Sequence, residues 1–112
     1  VPPKGIGVNY DPANLVMCGP FDHIGGVALL KDYIHHTHAK DGIHLGPKAW
    51  KELPLGQGGV VFPYYLAALK AAGYSGFLTI EREGGGDRVG DIARAVAFLK
   101  DLCASDLPAM PA

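Results

Sequence analysis

Three side chains of metal-ligand type each stand at the end of a run that is typical of a buried strand. Asp11 follows residues 5–10, His38 lies near the end of residues 33–39, and Glu81 ends residues 77–81. The carboxyl ends of parallel strands are where α/β folds bind ligands. Two carboxylates and one imidazole at that edge predict a site for a hard divalent cation. We expect Mn²⁺ or Mg²⁺, with Zn²⁺ or Co²⁺ as alternatives.

The residues two positions before these ligands are also polar, namely Asn9, His36 and Thr79. Side chains alternate between the two faces of a strand, so each of them shares a face with the ligand that follows it. A buried parallel strand is normally apolar throughout, and a polar layer below the ligands is what a metal site needs to orient them. Taken singly, Asn9 and Thr79 fit hydrogen-bonded core residues equally well.

Strand and helix patterns alternate along the chain in the order β-α-β-α-β-α. The helices are expected at residues 21–32, 61–72 and 88–104, with loops at 11–20 and 40–59 and a Pro-rich tail at 105–112. This alternation predicts an α/β fold with parallel strands and right-handed crossovers. Three strands leave two open sheet edges, and open edges pair with other strands. We therefore expect a homo-oligomer or a missing partner portion.

Composition narrows the function classes. The chain has 112 residues, 48% hydrophobic and 19% charged, which fits one folded domain. A net charge of −1 without a basic run argues against nucleic acid as a partner. The lone cysteines, Cys18 and Cys103, and the lack of a long apolar run predict a cytoplasmic protein with no membrane partner. Because the chain begins at Val1 rather than Met, we expect a processed product or a piece of a longer protein.

Several charged residues near the predicted ligands have two interpretations. Asp11 precedes Pro12, a pair that commonly opens turns. Lys40 and Asp41 are candidate substrate contacts, although a charged pair after a strand is also common in solvated loops. Glu83 is expected to be solvated or to pair with Arg82. The glycines at 84–86 could hold an anion at the start of the last helix or act as a flexible connector.

Four segments together resemble the sugar phosphate isomerase/epimerase family, the xylose-isomerase-like TIM barrels. They read VNYDPANL at 8–15, HTHAKDG at 36–42, PLGQG at 54–58 and GYSGFLTIERE at 73–83. The resemblance implies that residues 1–104 are a partial domain of three βα units, strands six to eight of a (β/α)₈ barrel. It also implies metal ligation by Asp11, His38 and Glu81, while a fourth ligand, a Glu on strand five, has no counterpart here.

The activity implied by the resemblance is metal-dependent proton transfer beside a carbonyl of a sugar or sugar phosphate, through an enediolate. Glu81 would serve as ligand and base, and the substrate would meet Asn14, His36, Lys40 and Asp41. Gln57 stands where the family often has Glu. One alternative is a non-catalytic, self-assembling barrel fragment that binds metal. Another is an apurinic-endonuclease-like hydrolase. It is disfavoured because Asn14 stands where that branch of the family has a histidine, and because the chain lacks basic charge.

Overall fold

A three-stranded parallel sheet forms the centre of the computed structural model, which describes residues 7–19, 21–105 and 107–108. Its strands are β1 (Val8–Tyr10), β2 (Ile34–Ala39) and a last strand at Leu78–Ile80, in the spatial order of the sequence. Asn9 lies opposite His36 in β2, and His38 lies opposite Thr79. The predicted parallel α/β fold is therefore confirmed, and no closed barrel forms within the described residues.

The loop predicted at residues 11–20 is wrong, because α1 spans Pro12–Cys18. Asp11 caps this helix, since its Oδ1 accepts hydrogen bonds from the backbone nitrogens of Ala13 and Asn14 at 3.0 and 3.2 Å. Pro12 suits the first turn, where its missing N–H would have no partner. The Asp-Pro pair thus opens a helix rather than a simple turn.

The helix predicted at residues 21–32 is shorter than expected. It forms as α2 (Gly25–Leu30), followed by a 3₁₀ turn at Lys31–Tyr33. Asp22 Oδ1 accepts hydrogen bonds from the nitrogens of Ile24 and Gly25 at 3.2 and 2.8 Å, so residues 22–24 make a turn before the helix begins. A Cβ on Gly26 would collide with the Tyr10 hydroxyl, which explains why this helix keeps a glycine despite its low helix propensity.

The prediction of a loop at residues 40–59 is also wrong for most of this range. Residues 41–53 form an antiparallel hairpin of β3 (Asp41–Gly46) and β4 (Ala49–Leu53). Gly46 and Lys48 adopt positive φ in the turn, at +152° and +60°. The hairpin packs on α1 and stands at the carboxyl end of the sheet, so it lies over the predicted site.

The two remaining helices agree with the prediction, α3 at Phe62–Ala71 and α4 at Arg88–Ala104. The last strand of the sheet, Leu78–Ile80, is β5. The helix layer covers one face of the sheet, and the apolar core lies between them; its central residues are Tyr10, Val27, Ala39, Phe62, Tyr65, Leu66 and Leu99. No helix among the described residues is long and apolar enough to cross a membrane. Residues 1–6 and most of the predicted tail lie outside the described ranges.

Two separate surfaces leave apolar side chains uncovered, one on α4 in the helix layer and one on the open face of the sheet. On α4, Ala95 and Leu99 are buried, whereas Ile92 and Val96 are 38% and 39% exposed. Phe77, which precedes β5 on the sheet face opposite the helices, is 82% exposed. In the described residues β1 and β5 each pair only with β2. This open face and its two edges are where further strands and helices of a barrel would pack.

The buried carboxylate of Asp41 holds the segment that follows the hairpin. It accepts backbone hydrogen bonds from Gly42, Gly56, Gly58 and Val60 at 2.8 to 3.0 Å. Burial raises the pKa of Asp41, and the four backbone hydrogen bonds oppose that rise. A Cβ on Gly58 would collide with this carboxylate, so the glycine permits the close approach.

We predict that Asp41→Ala lowers the free energy of unfolding by about 3–5 kcal/mol, because four backbone donors together lose a fully buried charged acceptor. Urea unfolding followed by circular dichroism measures this. Asp101→Ala, which removes an exposed carboxylate from α4, is the matched control and should change stability by less than about 0.5 kcal/mol. Equal stabilities for the two variants would contradict the role given to Asp41.

We also predict that the isolated chain self-associates through the open face. Sedimentation velocity should show an average mass that rises with protein concentration, and Phe77→Ser should reduce this rise. Leu29→Ser is the matched control, because Leu29 is equally exposed at 82% but lies on the helix layer. A compact monomer at every concentration, with cooperative unfolding, would overturn this prediction.

Candidate metal centre

Asp11, His38 and Glu81 meet at the carboxyl edge of the sheet. Each offers one ligand atom, and these atoms lie within 4.8 Å of one another. His38 Nδ1 is 2.8 Å from Glu81 Oε2 and 3.4 Å from Asp11 Oδ2. The three side chains come from the ends of β1, β2 and β5, as the sequence predicted. Parallel register brings them together, since neighbouring strands end at the same edge.

The two oxygens of Asp11 have different partners. Oδ1 caps α1, and Oδ2 faces His38. The side chain is only 8% exposed, so the cap fixes its rotamer and holds the second oxygen towards the cluster. The turn role and the ligand role, which the sequence presented as alternatives, are therefore compatible in one carboxylate.

The predicted polar layer lies on the open face of the sheet. Asn9 Nδ2 is 3.4 Å from His38 Nε2, and the His36 ring packs edge-on against the His38 ring with centroids 5.5 Å apart. Asn9 and Thr79 are exposed. The alternative interpretation, that they are hydrogen-bonded core residues, is therefore wrong. Asn9 and His36 thus contact the imidazole ligand, as a layer that orients it would.

Lys40 links two carboxylates at the site. Its Nζ donates to Glu81 Oε1 at 3.0 Å and to Glu83 Oε1 at 2.8 Å, and its side chain is 9% exposed. Burial alone would lower the pKa of Lys40, but the hydrogen bonds to Glu83 and Glu81 outweigh burial and raise it. The side-chain contact of Glu83 with Glu81, and then its bond with Lys40, lower the pKa of Glu83 to about 2. Lys40 therefore stays charged and fixes one oxygen of Glu81, leaving Oε2 towards His38.

The other predicted substrate contacts lie at different depths. Asn14 is exposed on α1, next to the Asp11 cap, and His36 is half-buried beside His38. Asp41 is fully buried, and its oxygens already accept four backbone hydrogen bonds. This placement favours a structural role for Asp41 over contact with a substrate.

Two histidines outside the cluster bind the backbone instead. His44 Nδ1 lies 2.8 Å from the Met17 carbonyl oxygen, and His23 Nε2 accepts a hydrogen bond from Val61 N at 3.1 Å. Burial lowers the pKa of His23, although Asp22 and Asp41 oppose that shift. Both side chains hold loops in place.

Sequence reasoning missed Glu52, which lies on β4 beside the centre. Arg82 was expected to pair with Glu83, but its Nη1 lies 3.0 Å from Glu52 Oε2 and its Nε donates to Asp91 Oδ2 at 2.8 Å. Residues 43–45 alternate apolar and polar before the turn at Gly46, which is typical of a hairpin strand and could have pointed to β3 and to its partner β4. Glu52 would then have been placed on a strand returning to the site.

The donor set fits a hard divalent ion. Carboxylate oxygens and one imidazole suit Mn²⁺ or Mg²⁺, and Zn²⁺ accepts the same types. Ligands on opposite sides of one Mg²⁺ lie about 4.2 Å apart, twice the metal–oxygen distance, which is comparable to the spacing of these donors. Asp11 Oδ2 and Glu81 Oε2 have no partner in the described structure other than His38 Nδ1. They are therefore the oxygens available to an ion.

Comparisons with known proteins agree with the fold. The sequence profile of the family described as xylose isomerase-like TIM barrel matches residues 1–102. No curated protein matches the chain. A solved structure of a xylose isomerase domain protein from Planctomyces limnophilus is 35% identical and superimposes with a TM-score of 0.82. The alignment covers 89% of this chain and 38% of that one. The chain therefore belongs to the xylose isomerase-like TIM barrel family and has the architecture of part of such a barrel.

Proposed function

We propose that this chain carries part of the active site of a divalent-metal-dependent sugar isomerase or epimerase. The observation that carries the proposal is the convergence of Asp11, His38 and Glu81 at the carboxyl edge of the sheet. This edge is where enzymes built on TIM barrels place their catalytic groups. The family includes sugar isomerases and epimerases as well as endonucleases, and the donor set suits the former chemistry.

The proposed reaction moves a proton on a carbon next to a carbonyl. A bound divalent ion would hold neighbouring oxygens of the sugar and stabilise the negative charge of the enediolate. Glu81 would accept the proton at Oε1, the oxygen that Lys40 orients, because Oε2 faces the cluster and would hold the ion. Asn9 and His36 orient the imidazole of His38, and Asn14 and Lys40 border the space that the sugar would enter.

The proton on the opposite face of the sugar needs a second base. Within the described residues the remaining carboxylates at the site are engaged, Glu83 with Lys40 and Glu52 with Arg82. We therefore propose that the second base and a fourth ligand come from a further barrel portion or from a second copy packed on the open face. The uncovered Phe77 on that face supports such a partner.

A non-catalytic barrel fragment is the second candidate. The same open face supports it, because a module built to assemble needs an apolar surface and free strand edges. The two functions differ in whether a second carboxylate base reaches the cluster. An endonuclease-like activity is disfavoured, since the net charge is −1 and the cations beside the cluster, Lys40 and Arg82, are paired with carboxylates.

We predict that Mn²⁺ stabilises the chain through the three ligands. At a free Mn²⁺ concentration of 100 times its Kd, the free energy of unfolding should rise by about 2.7 kcal/mol. Glu81→Gln should lower the affinity at least tenfold and the gain to about 1.4 kcal/mol or less. Thermal melting across a Mn²⁺ titration measures this. Glu83→Gln is the control, because Glu83 is not a proposed ligand and should keep most of the gain. Equal gains for wild type and Glu81→Gln would refute the site.

We predict that the cost of removing Lys40 depends on the metal. Without metal, Lys40→Met should lower the free energy of unfolding by about 1–2 kcal/mol, because Glu81 and Glu83 lose their shared cation. Saturating Mn²⁺ should reduce this loss, since an ion on Glu81 replaces part of the missing positive charge. Urea unfolding with and without Mn²⁺ measures both values, and Lys100→Met on the exposed side of α4 is the control. A loss that is the same in both conditions would contradict the coupling.

A further inference from the structure

The loop between β5 and α4 presents backbone donors beside the metal cluster. The nitrogens of Glu83 and Gly84 both donate to the Glu52 carboxylate, with nitrogen–oxygen distances of 3.0 to 3.2 Å. The glycines that follow lead directly into α4, whose first residue is Arg88. Successive backbone N–H groups ahead of a helix form a concavity that attracts anions. In this chain the carboxylate that fills the concavity is part of the protein.

Arg82 adds a positive charge to the two backbone donors around Glu52. Its side chain is 7% exposed, its Nη1 lies 3.0 Å from Glu52 Oε2, and its Nε is bonded to Asp91. Two backbone N–H groups and a guanidinium are what proteins commonly use to hold a phosphate. TIM barrels often bind the phosphate of a substrate at the loops after their seventh and eighth strands. Glu52 reaches this position from the hairpin that follows β2.

The charges around the centre leave little to attract a further anion. Lys40 is shared by Glu81 and Glu83, and Arg82 is shared by Glu52 and Asp91. Arg88 is exposed, and its Nη1 lies 3.5 Å from the Glu83 carbonyl oxygen. Five carboxylates, those of Asp11, Glu52, Glu81, Glu83 and Asp91, therefore lie in or beside the cluster, against two engaged cations and the exposed guanidiniums of Arg88 and Arg94. A phosphate brought here would meet repulsion from Glu52 and Glu83.

We propose that Glu52 is a built-in substitute for a bound phosphate, so that the site takes an uncharged, unphosphorylated sugar. The statement about the substrate rests on the proposed function. The statement that Glu52 occupies an anion position rests only on the contacts of Glu52. Glu52 also ties the hairpin to the loop after β5, which fixes the wall of the site on that side. The family resemblance left sugars and sugar phosphates open as substrates, and the position of Glu52 favours sugars.

The test measures binding of inorganic phosphate to the full chain without metal. Wild type should show no change in melting temperature with phosphate, whereas Glu52→Ala should empty the donor set and gain a phosphate site. At about five times the Kd, phosphate should raise the melting temperature of Glu52→Ala by about 4–8 °C. Glu52→Thr keeps a good strand former in β4 but is too short to fill the donor set, and it serves if the alanine variant folds poorly. Titration calorimetry at 20 °C reads the same binding without unfolding.

Asp87→Ala is the matched control, because it removes a carboxylate from the same loop whose oxygen caps Gly90 N rather than the donors of Glu83 and Gly84. This variant should remain insensitive to phosphate. Phosphate binding by wild type, weakened in an Arg88→Gln variant, would overturn the proposal, because the loop would then hold an anion with Glu52 in place. The absence of a gain in both Glu52 variants would overturn it as well.

A second arm compares sorbitol with sorbitol 6-phosphate on the Mn²⁺-loaded chain. Equal or weaker binding of the phosphorylated compound is expected, and tighter binding by wild type would contradict the inference. If neither compound binds, the proposed sugar chemistry loses its support. The phosphate titration without metal still decides whether Glu52 occupies an anion position, so the two failures can be told apart.

Discussion

The parallel backbone pairing of β1, β2 and β5 is the constraint on which the site depends. Asn9 opposite His36, and His38 opposite Thr79, put one set of alternating side chains on the open face and the other set into the core. A slip by one residue would turn His38 towards the helices and bring Ala39 to the ligand position. The cap made by Asp11 and the bridge made by Lys40 both act on side chains that this register has already aligned.

Lys40 and Asp41, which directly follow β2, stabilise two different parts of the site. Lys40 turns its ammonium towards Glu81 and Glu83, and Asp41 turns its carboxylate into the segment that includes Gly56 and Gly58. Each is buried, and each is satisfied by several partners of opposite charge or polarity. Charged groups are tolerated in such places when their hydrogen-bonding capacity is filled. The residues after β2 thus support both the cluster of Asp11, His38 and Glu81 and the segment that contains Gly56 and Gly58.

Sequence patterns predicted the three parallel strands, α3, α4 and the convergence of Asp11, His38 and Glu81, because these features rest on local periodicity and on the edge shared by parallel strands. They failed where tertiary contacts decide. Residues 12–18 carry a weak helix pattern, and the cap by Asp11 and packing on β3 make them α1. The hairpin was obscured by the glycines and prolines around it. Glu52 could not be assigned without β4, because its partners lie more than 30 residues later in the chain.

The sheet has three strands, and a barrel of the family has eight. Parallel strands with two free edges join copies head to tail, β5 of one against β1 of the next, which is a heterologous contact. Two copies supply six strands and three copies supply nine, so no number of copies gives the eight strands of the family's barrel. A ring of copies would differ from the family barrel in strand number and diameter. Only a complement of five strands closes a barrel of the family's size around Asp11, His38 and Glu81.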